Sequence, residues 1–216
     1  AMGERRPSIL AANELDMAVA RELVETGELS TPLLNRLDIS GNKLDSVISM
    51  IHSIVGQPEP LENTSMATEL DEGLNLFRVS VPIGVIGVIF ESRPDALVQI
   101  ACLCLKSGNT LILRGGSESY NSSSKIVQII KQSMKKFGVP DGALQNIPTT
   151  DRSAVGTLLK MDQFVDVIIP RGGKSLIERV TKESRVHVIK HLDGICHTYL
   201  HKSSDSEICK EVAVNA

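Results

Sequence analysis

Three short segments set an arginine beside a glycine or proline at the end of an apolar run. They are Glu91-Ser92-Arg93-Pro94, Arg114-Gly115-Gly116-Ser117 and Arg171-Gly172-Gly173-Lys174. Arginine presents a planar fork of donors that suits phosphate and carboxylate oxygens. Paired glycines let backbone approach a ligand closely. A helix that begins just after such a loop offers free N–H groups and the positive end of its dipole. One such loop is most simply a tight turn with a solvated arginine. Three in one chain, each after an apolar run, point to a crevice for a nucleotide or other phosphate-bearing ligand.

No complete generic motif says which nucleotide. Gly84-x-x-Gly87 lies inside an apolar run rather than after one, so it does not meet the G-x-G-x-x-G dinucleotide pattern. Gly173-Lys174-Ser175 matches the end of a P-loop, but the first glycine would fall at Ile168. His187, His191, Cys196, His197 and His201 crowd into fifteen residues, which raises a metal site as a reading. That spacing fits no compact zinc site, and a strand would send Cys196 and His197 to opposite faces. Structural or substrate-contact roles are preferred there, and no metal is expected.

The elements that must carry these loops are legible. Residues 81–90, Val-Pro-Ile-Gly-Val-Ile-Gly-Val-Ile-Phe, form a short run rich in Val and Ile. Such a run reads as a strand buried on both faces, and parallel strands place function at their carboxyl ends. Downstream the pattern alternates. Helix 95–106 leads to strand 110–113, helix 118–137, a short strand at 144–147 and a helix over 151–160. Strand 164–169, helix 174–183 and strand 186–189 follow, with a further strand expected at 196–201 and a helix at 204–213. Ser117 and Asp151 are the expected helix caps. This alternation predicts an α/β fold, a doubly wound parallel sheet. Upstream, 8–56 reads as helical, and 68–81 as a strand pair turning at Asp71-Glu72-Gly73. Two regions are expected: 1–80, helices plus the strand pair, and 81–216, the nucleotide-binding domain.

Composition narrows the class. The 216 residues are 42% hydrophobic but only 3% aromatic, so the core must be built of Val, Ile, Leu and Ala. A net charge of −3 argues against a nucleic-acid footprint or a polybasic membrane patch. The run at 81–90 is too short to span a bilayer. The cysteines, Cys102, Cys104, Cys196 and Cys209, lack framework spacing. Free thiols in a reducing, cytoplasmic setting are expected.

Specific strings add a resemblance. Val81 to Pro94, Leu105-Lys-Ser-Gly-Asn-Thr-Leu-Ile-Leu-Arg-Gly-Gly116, Asp166-Val-Ile-Ile-Pro-Arg-Gly-Gly173 and His191-Leu-Asp-Gly-Ile-Cys-His197 occur in one order. With Ala12-Asn-Glu-Leu-Asp16 and Asn35-Arg-Leu37, they resemble the gamma-glutamyl phosphate reductase (glutamate-5-semialdehyde dehydrogenase) family of the aldehyde dehydrogenase superfamily. That resemblance implies NADPH-dependent reduction of L-glutamyl 5-phosphate to L-glutamate 5-semialdehyde in proline biosynthesis. It also implies a cysteine nucleophile.

By the same resemblance, Arg114, Gly115 and Gly116 would hold the adenosine ribose. The arginine there favours NADP over NAD. Arg171, Gly172 and Gly173 would face the pyrophosphate. Glu91 and Ser92 would lie near the nicotinamide, and Arg93 would take the substrate's phosphate. Asp193 and His197 would sit in the loop where the superfamily carries its general base, as substrate-side residues. The 68–80 strand pair would serve a homo-oligomer. The family's nucleophilic cysteine would fall beyond Ala216, so the chain reads as the cofactor-binding half, with the catalytic domain absent and no activity alone. The alternatives are a non-catalytic nucleotide- or phosphate-binding module, or the reductase half of a bifunctional pyrroline-5-carboxylate synthase. A reading frame that continues past Ala216 into a cysteine-containing domain would separate these.

Overall fold

The computed structural model describes residues 1–191 and 197–215. The amino-terminal region, expected as one helical stretch, folds as three helices: α1 (Arg6–Glu25), α2 (Thr31–Leu37) and α3 (Lys43–Val55). Gly27 and Gly41 sit at φ of 78° and 59°, in the left-handed region where glycine is favoured, and break the run twice. Pro32 starts α2, where its missing N–H costs nothing.

An antiparallel hairpin follows, β1 (Thr64–Asp71) and β2 (Leu74–Val79), turning at Gly73. The pair begins earlier than the expected 68, because alternation in Thr64–Thr68 is masked by small and polar residues. Both strands are exposed along their whole length, including Leu70, Leu74, Phe77 and Val79.

From here strands and helices alternate: β3 (Val85–Phe90), α4 (Pro94–Lys106), β4 (Thr110–Arg114), α5 (Tyr120–Lys136) and β5 (Leu144–Asn146). Then come α6 (Ser153–Leu158), β6 (Val167–Arg171), α7 (Lys174–Glu183), β7 (His187–Val188) and α8 (Ser206–Asn215). The five later strands form one parallel sheet in the order β5-β4-β3-β6-β7. β3 is central and buried on both faces, as its Val/Ile run requires.

One face is covered by α4, α5 and the amino-terminal helices. There Ile9, Leu44, Val47, Leu97, Leu111, Leu113 and Ile126 share a core with Val88 and Phe90. The other face is covered by α6 and α7 through Val155, Leu158, Ile168 and Val180, with Ile89. Full burial of each such side chain contributes about 1.5–3 kcal/mol.

Several expectations are corrected. β3 begins at Val85, four residues into the 81–90 run. The Ile83 and Gly84 N–H groups donate to Asn109 Oδ1 (2.7 and 2.9 Å), and Val85 N–H donates to Asp166 Oδ2 (2.7 Å). β6 runs three residues later than 164, because Phe164 and Val165 close a turn onto the Met161 carbonyl (2.9 Å each).

Ser117 makes no capping bond with its side chain. The head of α5 is capped instead by Asp16 of α1. Its carboxylate accepts from Asn121 N–H (3.1 Å) and Ser122 N–H (2.7 Å), and from both of their side chains. Asp151 does cap, accepting from Ser153 N–H at 2.8 Å. The strand expected at 196–201 is not formed among the described residues: 197–201 is irregular and exposed, with no neighbouring strand to pair with. Among the described residues no helix is long and apolar enough to cross a membrane.

Candidate functional site

The register of the sheet decides what the three loops can do together. β4, β3 and β6 are adjacent, and the pairs Ile89–Arg114 and Phe90–Arg171 align their carboxyl ends. Arg93, Arg114 and Arg171 therefore leave the sheet at one edge, as the crevice reading requires.

Two carboxylates brace the loops to one another. Glu91 accepts a hydrogen bond from Gly173 N–H at the head of α7 (2.9 Å). A side chain at Gly172 would collide with that carboxylate and with Leu176. Glu118 accepts from Ser92 N–H (2.6 Å) and Ser92 Oγ–H (2.8 Å). Ser92 is buried, with φ at 43°, a strained conformation for a residue with a side chain. The double contact from Glu118 holds it there. A Cβ at Gly116 would strike the Glu118 carboxylate, so that glycine permits the brace.

Glu91 stands between two cavities. One, of about 300 Å³, is lined by Glu91, Arg114, Ser117, Glu118, Arg152 and Arg179 among others. Arg114 is only 6% exposed. Its Nη2 donates to the carbonyls of Thr150 (3.0 Å) and Asp151 (3.3 Å), and its Nη1 to that of Gly115. Its Nε is buried without a partner among the described residues. Burial lowers the Arg114 pKa, an effect opposed by the Glu118 carboxylate. Arg152 is exposed and forms no ion pair among the described residues, whereas Arg179 is held by Glu183 (3.2 Å).

The second cavity, of about 600 Å³, is lined by Arg36, Glu91, Arg93, Arg171, Lys190 and His191 among others, and by Gly172 and Gly173. Arg93 is exposed and forks onto Asp95 (2.9 and 3.4 Å), a contact that raises its pKa further.

The structure thus brings together Glu91, Ser92, Arg93, Arg114, Gly115, Gly116, Arg171, Gly172 and Gly173. Arg114 lies beneath the surface rather than offered to solvent. His197 is exposed and lines neither cavity. Asp193 lies outside the described residues, as does Cys196. Burial pushes the Cys104 thiol up to about 11 and raises that of Cys102, so both are poor nucleophiles at neutral pH.

Sequence reading missed Glu118, Arg36 and Arg152. Only Arg152 carried a signal. It follows the short strand β5 at the same sheet edge, the strand-end logic that singled out the other loops.

Residues 15–214 match the aldehyde dehydrogenase family. A gamma-glutamyl phosphate reductase of Natronomonas pharaonis is 45% identical over the whole chain, which covers 48% of that relative. One of Paramagnetospirillum magneticum is 45% identical over 96% of the chain, again 48% of the relative. The chain thus spans about half the length of these curated relatives.

Two solved structures agree. The gamma-glutamyl phosphate reductase of Thermotoga maritima superposes with a TM-score of 0.81 at 37% identity, over 87% of this chain and 44% of its own. That of Saccharomyces cerevisiae gives 0.80 at 35%, over 99% of this chain and 53% of its own. A doubly wound parallel sheet with its loops at one edge, matched over nearly its full length, places this chain in the aldehyde dehydrogenase family.

Proposed function

We propose that this chain is the cofactor-binding part of an NADPH-dependent reductase that converts L-glutamyl 5-phosphate to L-glutamate 5-semialdehyde, a step of proline biosynthesis in the cytoplasm. One observation carries the reading: three arginine-bearing loops leave adjacent strands at one edge, with a cavity on either side of Glu91. The names borne by the relatives support the choice of substrate.

The residues fit a dinucleotide. Arg114 Nε is buried at the wall of the smaller cavity, without a partner among the described residues. Gly172 and Gly173 line the larger cavity at the head of α7, where the Glu91 carboxylate holds the Gly173 N–H that an anionic ligand would otherwise take. When bound, the nicotinamide group would supply a hydride. The smaller cavity takes the adenosine end, with Arg114 shaping its floor and Arg152 meeting a 2′-phosphate. Gly172 and Gly173 face the pyrophosphate. Arg93 and Arg171 hold the acyl phosphate in the larger cavity, fixing its orientation. The exposed apolar hairpin serves a homo-oligomer by pairing or packing against another subunit.

The test is a fluorescence titration of the chain with NADPH and NADH. Arg152→Ala is expected to weaken NADPH binding by about tenfold, the loss of one charge-assisted contact, and leave NADH unchanged. Equal losses for both would remove Arg152 from the 2′-phosphate. No binding of either nucleotide would sink the cofactor reading.

A further inference from the structure

We infer that Arg36, on helix α2, is the residue that recognises the α-carboxylate of an α-amino acid substrate. The helices of the first 55 residues then form part of the binding site. This rests on the reductase reading above and adds the element that selects an amino acid over a plain acyl phosphate.

A third cavity, of about 360 Å³, lies beside the larger one, between α2, α3 and the start of α4. Arg36 and Arg93 line both. They form the threshold between the sheet edge and the amino-terminal helices. The other charged groups of the third cavity are Lys43, Asp38 and Asp95.

Of its three cations, two are engaged within the protein. Lys43 Nζ donates to the carbonyls of Asn35 (2.6 Å) and Asp38 (2.8 Å). Arg93 forks onto Asp95. Arg36 has no hydrogen bond or ion pair among the described residues.

Its seat is nonetheless fixed. The next residue, Leu37, is fully buried, and Ile39 nearly so. Buried Asn13 of α1 clamps both: its Nδ2 donates to Leu37 O (3.0 Å) and its Oδ1 accepts from Ile39 N–H (3.1 Å). Lys43 ties the same turn from α3. A free guanidinium on a backbone held from two sides is a preorganised receptor for a carboxylate.

The sign pattern says which ligand end enters. A bare phosphate would meet Asp38 and Asp95, two carboxylates that repel it. An amino acid head carries both signs: its carboxylate faces Arg36 while its ammonium faces the carboxylates. The phosphate end belongs in the larger cavity. There Arg171 and Lys190 add positive charge, and the lining carboxylate, Glu91, is held by Gly173 N–H.

The test uses the chain and two stable probes at fixed ionic strength, followed by calorimetry. One is L-2-amino-5-phosphonopentanoate, with the amino acid head; the other is butylphosphonate, without it. The wild-type chain is expected to prefer the amino acid. Arg36→Ala is expected to reduce that preference by about tenfold while leaving butylphosphonate affinity unchanged, and Arg36→Lys to retain part of it. Should Arg36→Ala fail to fold, the Arg36→Lys comparison and Arg36→Gln decide.

Equal weakening of both probes would make Arg36 a phosphate ligand and overturn the inference. An unchanged preference, or none in the wild type, would also overturn it. NADPH titration of the same samples separates the two levels. If the amino acid preference holds while NADPH does not bind, the cofactor reading fails and Arg36 keeps its role.

Discussion

The cavities on the two sides of Glu91 both carry arginines, but they hold them differently. On the smaller side, Arg114 is sunk beneath the sheet edge with its guanidinium bonded to three carbonyls, and Arg179 is tied to Glu183. On the larger side, Arg93 is exposed though forked onto Asp95, Arg171 stands in solvent, and Arg36 has no partner among the described residues. A buried cation is weakly screened and cannot re-aim; an exposed one is screened over about 8 Å in physiological salt and moves freely. The smaller cavity is therefore a fixed mould, suited to a ligand part that never varies. The larger one is adaptable, suited to a group that changes during reaction and must leave.

The sharpest way to break this contrast is Arg114→Ala. Three carbonyls in part-buried bonds would lose their donor and the buried guanidinium's space would open, and unfolding in urea should show a loss of about 3 kcal/mol. A wild-type midpoint would mean Arg114 is no more structural than its counterparts across Glu91.

A smaller effect, read at mildly alkaline pH, probes the support of the larger cavity, since α4 carries the Arg93 turn at one end and Cys104 near the other. Cys104 is held as a neutral thiol up to about 11 in the folded chain. The unfolded thiol ionises near about 8.5. Its stabilising contribution is present below the lower value and falls as pH rises through the window between them. The loss is up to about 1.4 kcal/mol per pH unit. Stability measured at increasing alkaline pH should fall more steeply for wild type than for Cys104→Ala. Parallel slopes would show that α4 is packed more loosely than its burial indicates.

The smallest effect is expected from Arg171→Ala, within about 0.5 kcal/mol of wild type, as for an exposed side chain without a partner among the described residues. The same variant should lose affinity for phosphonates. A large destabilisation there would erase the distinction between the two sides.

The strand ends were legible because Val/Ile runs closing on Arg and Gly have few other meanings. β3, its two neighbours and α7 emerged close to where they were expected. The state of each arginine was not legible. Two of the three carbonyls that hold Arg114 lie 36 and 37 residues further on, and nothing local marks them. The Glu118–Ser92 brace spans 26 residues and depends on glycine at 116. Asp16 and α5 are more than 100 residues apart, so Ser117 looked like the cap by proximity alone. The strand expected at 196–201 fails for a related reason. Alternation shows that a segment could pair, not that a partner lies beside it.

Helix α1 behaves as a latch. Within one turn, Asn13 grips the end of α2 and Ser122, while Asp16 closes the head of α5. Proteolysis that removed this helix would do more than shorten the protein. It would leave the donors of Asn121 and Ser122 without the Asp16 carboxylate and release the turn that seats Arg36. Anyone trimming the amino terminus to make a minimal nucleotide-binding fragment would be cutting the fastening that joins both halves of the site. A peptide spanning α1, supplied separately, is the natural repair.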